Sequence, residues 1–312
     1  MSSNSLISGA PRPVAGLMMA LAGALLITPD TLLIRLSGLE GWGLTFWRGI
    51  LIGGGLCVLW VLLEGRRVLT QYHGLATWPA QVIILANLVN AMAFNFATIE
   101  TSITVVVTAL ATAPLMAAGL GYLVLAEQTT RRTWVAIALS MIGVLVVIMN
   151  GDGALQAPDG NVWLGGFLGF LAALGIAVVF VTTRRHPDVP VLPATGIGAM
   201  ISGLIGLAMA PAGAIMTGNP IAIGLMGVIV MPLSWGLLTL APRHTSPTIV
   251  SLLMLLEMVL APFWVWLGTG ERPSLPMIGG AALVLVTLMI YFLATAHEAT
   301  QAARLSSAGD AP

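Results

Sequence analysis

Apolar runs of about twenty residues, separated by short breaks rich in Arg, Gly, Pro and Asp, follow one another along the chain. This pattern predicts ten membrane-crossing helices, spans 1 to 10, at 14–37, 41–63, 78–99, 101–126, 131–149, 162–183, 191–216, 219–242, 245–268 and 273–296, because a helix needs about 20 apolar residues to cross a bilayer. The runs are continuously apolar, whereas strands of a membrane barrel alternate over segments of about ten residues. The expected fold is therefore an all-α, polytopic membrane bundle. The breaks are too short to hold an extramembrane domain.

Few polar residues interrupt the runs, and each is a candidate for function because ionisable groups in hydrocarbon are costly and usually face the bundle interior. The stretch "ALLITPDTLLIRLSG" (Ala24–Gly38) places Pro29 and Asp30 within span 1, and span 2 carries Arg48. Asp30 and Arg48 are each nine residues from Leu39, the midpoint of the hairpin joining the two spans. At about 1.5 Å per residue they reach nearly the same depth. An intramembrane ion pair is expected, either as a structural tie or as a gate. Pro29 would loosen the backbone there. Arg35 is a rival partner, although it can snorkel to the interface.

Glu257, near the middle of span 9, is the deepest carboxylate. It reads as a substrate or coupling group, or else as an acid bonded to a backbone carbonyl at a helix contact. Span 3 carries Asn87, Asn90, Asn95 and Thr98, and span 4 carries Thr101, Thr104, Thr108 and Thr112. Steps of three to five residues place each set largely on one face. Such residues commonly join membrane helices by hydrogen bonds, and a few of them at cavity level would hold an ammonium or carboxylate group. Trp235 sits mid-span in "MPLSWGLL" beside Ser234, with Pro232 expected to kink the helix. It reads either as packing or as a cavity wall. Trp42, Trp78, Trp134, Trp163 and Trp266 fit interfacial belts. Gly16, Ala20 and Ala24, and Gly49 and Gly53, read as close-packing faces.

Composition strengthens the membrane reading. Of 312 residues, 58% are apolar and 8% charged, against about 25% charged in a soluble domain. The first segment is too long, and lacks a small-residue cleavage site, to be a removable signal peptide. With a net charge of zero, nothing points to nucleic acid. A single cysteine, Cys57, argues against a disulfide or a cysteine-rich metal site. Every basic residue is arginine. Arg12, Arg66, Arg67, Arg131, Arg132, Arg184, Arg185, Arg243 and Arg304 fall on the side of the N-terminus, so both termini are expected in the cytoplasm. The loop 150–161 carries two aspartates and no arginine, as an outside loop can.

The chain also repeats. "TSITVVVTALATAPLMAAGLGYLVLAE" from Thr101 aligns without gaps with "TSPTIVSLLMLLEMVLAPFWVWLGTGE" from Thr245, at an offset of 144 that pairs Glu127 with Glu271. A looser match at offset 150 pairs Leu21–Ala22 with Leu171–Ala172 and Arg35 with Arg185. Two halves of five spans follow, 14–149 and 162–296, with short tails at 1–13 and 297–312. An odd number of spans inverts the second half. Inverted repeats characterise secondary transporters, whose site lies near the midplane between the halves.

"NFATIETSITVVVTALATAPLMAAGLGYLVLAE" (Asn95–Glu127) and "LTLAPRHTSPTIVSLLMLLEMVLAPFWVWLGTGE" (Leu238–Glu271) resemble the two copies of the EamA domain of the drug/metabolite transporter superfamily. "FWRGI" (Phe46–Ile50) is similar to its arginine-bearing second helix. The resemblance implies a ten-helix exporter of small metabolites, with a central cavity lined mainly by spans 1, 3, 4, 6, 8 and 9. Among its branches the YddG-type amino-acid exporters look nearest. Met258 departs from the pattern, standing where proline follows the glutamate, and so do Ala126 and Gly270, which precede the terminal glutamates.

No motif for catalysis, phosphate binding or metal binding is present, and the histidines lie at span ends or in loops. No enzyme activity and no cofactor are expected. The expected function is export of small amphipathic metabolites, amino acids including aromatic ones foremost, by alternating access. The substrate-binding candidates are Asn87, Asn90, Asn95, Thr98, Thr108, Thr112, Ser234, Trp235 and Glu257. Asp30 and Arg48 form the structural pair or gate. The expected partners are the small-molecule substrate and the lipid bilayer, with the chain a monomer or homodimer. A flippase of lipids or lipid-linked precursors, or a multidrug or nucleoside exporter, is the alternative.

Overall fold

Ten helices long and apolar enough to cross a membrane account for the computed structural model, which describes residues 12–101, 103–150, 161–211, 213–270 and 273–309. Most spans begin and end within a few residues of the expected limits. Span 5 runs Arg131–Met149 and span 6 Val162–Arg185. Their starts are capped: Thr130 accepts from Thr133 N–H, and Asn161 accepts from the N–H groups of Trp163 and Leu164. These side chains satisfy donors that the first turn of a helix leaves open.

Three departures have local causes. Span 1 is two helices, Arg12–Ile27 and Asp30–Ser37, because Pro29 cannot donate to the ladder. Span 4 is likewise broken, into Ile103–Leu110 and Ala113–Leu125. Pro114 opens its second piece, and the Thr112 hydroxyl donates to Ala109 O at 2.6 Å. Span 7, expected to reach residue 216, ends at Met209 ahead of Pro211, since the residue before a proline is driven out of the helical region. Pro232 was expected to kink span 8. The register change lies just before it, as a π-helical stretch Leu225–Val230 between Pro220–Gly224 and Met231–Leu240. Such bulges occur as single turns inside α-helices.

Span 10 runs Leu275–Gly309, so residues expected to form a tail from 297 continue its helix to Gly309. The segment 297–303 is rich in good helix formers. Residues 151–160, expected in an outside loop, and Glu271, the repeat partner of Glu127, lie outside the described residues, as does Arg272.

The packing carries the signature of an inverted repeat. Spans 2 (Gly41–Glu64) and 7 pack together, as do spans 5 and 10. Span 6 packs against spans 3 (Trp78–Glu100) and 4, while span 1 packs against span 8 and span 9 (Pro247–Thr269). Exchanging each span with the one five places on leaves these principal pairings unchanged. Close approach makes them possible. A Cβ added at Gly49 would lie 2.4 Å from Gly203 N, and one at Gly53 would lie 2.5 Å from Gly196 O. On span 1, Gly16 faces the backbone of His244, and Ala20 and Ala24 are fully buried. The small-residue faces are where the halves meet.

Spans 4 and 9 both end on a residue in the left-handed region. Ala126 adopts φ 54°, and Gly270, its counterpart, adopts φ 81°. The turn lets Glu127 N–H bond back to Gly121 O at 3.2 Å, closing the helix. Alanine occupies a conformation that glycine enters without steric cost.

Candidate transport site

The proline break in span 1 builds the site. At the break, the Thr28 hydroxyl donates to Leu25 O at 2.8 Å, and Asp30 opens the second helix. The arrangement carries Asp30 inward, where it is 2% exposed. Its Oδ2 accepts from Arg48 of span 2 at 2.7 Å. The expected pair therefore forms, and Arg35 stands exposed on the second helix of span 1. Beneath the guanidinium lie two buried sulfurs, Met226 Sδ at 3.6 Å and Met231 Sδ at 4.0 Å, from the π-helical stretch and the turn after it. The pair, formed within the first half, thus rests on span 8 of the second.

Glu257 of span 9 is half-buried. Both Asp30 and Arg48 lie within electrostatic range of it. Two turns further along span 9, Trp264 Nε1 donates to Thr28 Oγ1 at 2.9 Å. This bond ties the helix that carries Glu257 to the break that carries Asp30. Thr28, Trp264, Met226 and Met231 were absent from the expected set. Trp264 is seven residues from Glu257 and so shares its face; that spacing was the available signal. Nothing in the sequence marked the two methionines among 16.

The other candidates divide by what their polar atoms do. Asn87 Nδ2 donates to Thr195 O of span 7 at 3.0 Å, and Asn90 Nδ2 donates to Ala172 O of span 6 at 2.8 Å. Both amides join the halves. Asn95 is buried, and its Nδ2 has no partner among the described residues. Thr98 Oγ1 donates to Asn95 O at 2.8 Å, and Ser234 Oγ donates to Val230 O. The hydroxyls of Thr98, Thr112 and Ser234 are therefore turned back on their own helices. Thr108 is half-buried. Trp235 is half-buried against the core of span 8.

At the arginine-rich end, two ion pairs cross between the halves. Arg184 Nε meets Glu127 Oε1 at 2.9 Å, and Arg132 meets Glu298. Arg184 also reaches Arg243 O, and Arg243 donates to Val189 O at 2.7 Å. A cavity of about 330 Å³ opens beside these pairs, bordered also by Thr133 and Tyr291.

The profile of the EamA-like transporter family matches residues 14–149 and 163–293. The chain belongs to the EamA-like transporter family. Its two matched segments coincide with the two five-span halves, so the EamA-like domain is present twice in one multi-pass membrane chain. No curated protein matches the chain. A solved structure described only as "Crystal structure of protein" superposes with a TM-score of 0.74 at 16% identity, covering 91% of this chain and 99% of the other. That likeness shows a shared fold over nearly the whole bundle. EamA-like proteins are transporters, and the polar groups gathered at the proline break occupy the interior of one.

Proposed function

We propose that the protein exports small amphipathic metabolites, amino acids including aromatic ones foremost, from the cytoplasm by alternating access of its two halves. The observation that carries this reading is the Asp30–Arg48 pair held inside a bundle of apolar spans, with half-buried Glu257 within electrostatic range of it. A few placed polar groups in an apolar lining are what a small amphipathic ligand requires. The protein acts as a carrier and not as an enzyme, with the bilayer and the transported molecule as its partners, as a monomer or homodimer. Counterflow in proteoliposomes against amino acids, nucleosides and cationic drugs tests the reading. Saturable amino-acid exchange supports it. Scrambling of labelled phospholipid without such exchange replaces it with a flippase.

We place the arginine-rich end in the cytoplasm of a cell whose inner membrane holds the protein, since cytoplasmic loops carry the excess of Lys and Arg. Both termini then face the cytoplasm. In a Cys57→Ser background, Thr217→Cys is expected to react with an impermeant maleimide in intact cells. Ala76→Cys is expected to react only after permeabilisation. Both positions are exposed, at opposite ends of the bundle. Labelling of Ala76→Cys in intact cells inverts the orientation.

Trp235 supplies the apolar wall for an aromatic side chain. Trp235→Ala is expected to reduce exchange of tryptophan relative to leucine roughly two- to tenfold, in keeping with about 0.5–1.5 kcal/mol for an aromatic pair. Competition counterflow reads this ratio. An equal loss for both substrates at normal expression removes Trp235 from selectivity.

A further inference from the structure

The turn between spans 4 and 5 lies between two cavities, and Gln128 and Thr129 border both. One is the cavity between the halves, beside the Arg184–Glu127 and Arg132–Glu298 pairs. The other, of about 350 Å³, is lined by Ala118, Gly119, Tyr122, Gln128, Thr129 and Trp134. Its lining is graded from apolar to polar. Ala118 and Gly119 make a floor of small residues on span 4, and a Cβ added at Gly119 would meet nothing within 4 Å. Tyr122, in the last turn of span 4, and Trp134, in the first turn of span 5, are both exposed. Such rings collect where hydrocarbon gives way to headgroups. Next come the amide of Gln128 and the hydroxyl of Thr129, in the turn itself. Arg131 is exposed and shares a face with Trp134, three residues on. It enters no ion pair among the described residues. The acids bordering the neighbouring cavity are already committed, Glu127 to Arg184 and Glu298 to Arg132. A guanidinium without a carboxylate therefore stands at the polar end of this groove.

We propose that the groove binds one phospholipid with an anionic headgroup, drawn from the leaflet at the arginine-rich end. Its acyl chains lie over Ala118 and Gly119 and along the exposed side chains of Leu123 and Val135. Its glycerol sits at the level of Tyr122 and Trp134, and its phosphate meets Gln128, Thr129 and Arg131. A soluble anion has no use for the small-residue floor or the two rings. A zwitterionic headgroup brings its own cation, whereas an anionic one answers the unneutralised charge of Arg131. The bound lipid touches the turn that carries Glu127, and so braces the Glu127–Arg184 tie between the halves. As a ligand of the native state, it stabilises the folded protein.

Titration of the full chain in detergent with dioleoylphosphatidylglycerol, dioleoylphosphatidylcholine or glycerol 3-phosphate tests the site, read by native mass spectrometry and thermal unfolding. One phosphatidylglycerol is expected to bind at roughly fivefold lower concentration than phosphatidylcholine, the contribution of one arginine near a membrane surface, and to raise the unfolding temperature. Arg131→Gln should erase that preference. Gly119→Phe, which fills the open floor, should weaken binding of both lipids. Tyr122→Ala, at an exposed ring, repeats the test of the groove if Gly119→Phe does not fold. Arg67→Gln removes another exposed arginine at the same end, outside the groove, and should change nothing. Equal binding of the two lipids by the wild-type protein overturns the proposal. So does an equal loss with Arg67→Gln, which would assign the preference to the arginine-rich end as a whole. Equal stabilisation by glycerol 3-phosphate overturns it in favour of a soluble anion.

Discussion

Asp30→Asn and Arg48→Gln are each expected to destabilise the folded protein by about 3–5 kcal/mol, and the double substitution by much less than their sum. The reason is the position of the pair. Asp30 is 2% exposed and its side chain contacts Arg48 at 2.7 Å, so removing either partner strands the other charge within the bundle. Breaking a buried pair from one side costs that much because of the stranded ion, whereas removing both partners together can be nearly neutral. Arg48 keeps some access, with 22% of its side chain exposed, so Asp30→Asn, which leaves the better-hydrated partner, should be the milder of the two. Thermal unfolding in detergent measures all three variants. Additive losses show that the two residues do not couple. A stable Asp30→Asn protein that no longer exports places Asp30 in the transport cycle instead of in the scaffold.

Much of this architecture was readable because membrane physics writes it in the sequence. Lipid leaves the backbone no partner outside the helix, so each span must be long, apolar and helical, and the ten runs follow. The Asp30–Arg48 pair was legible for a similar reason: two charges equidistant from one hairpin turn have few other places to go. What periodicity could not show is how a hydroxyl or amide is spent. Asn87, Asn90 and Asn95 share a face of span 3, yet two donate across the halves and the third has no partner. That difference depends on which carbonyl of a neighbouring helix comes within reach, and the neighbour is set by packing. The same holds for Thr28 and Trp264, which are 236 residues apart and meet only once span 9 lies beside the break. Helix lengths were misjudged where apolar composition and backbone chemistry disagree. Span 7 stops at a proline despite its apolar continuation, and span 10 continues as a helix into a polar stretch.

Gly49→Val is expected to prevent accumulation of folded protein, and Gly49→Ala to lower stability by about 1–3 kcal/mol or more, the range for overpacking a tight core. A Cβ at Gly49 would stand 2.4 Å from Gly203 N, 2.5 Å from Gly203 Cα and 2.6 Å from Ala199 O. All three are backbone atoms, so no side chain can swing away to make room, and spans 2 and 7 would have to separate. Their separation would also loosen the two halves, because spans 2 and 7 belong to different halves. In a bilayer, where no hydrophobic force drives helices together, such close packing of small residues is the main source of association. Gly54, five residues along the same helix, provides the control. A Cβ there meets nothing within 4 Å, and alanine is the better helix former by about 1 kcal/mol. Gly54→Ala should therefore be neutral or slightly stabilising. Size-exclusion profiles and thermal unfolding of the three variants distinguish the cases. Equal tolerance of alanine at both positions would mean that spans 2 and 7 do not meet through Gly49, and the boundary between the halves would have to lie along another face.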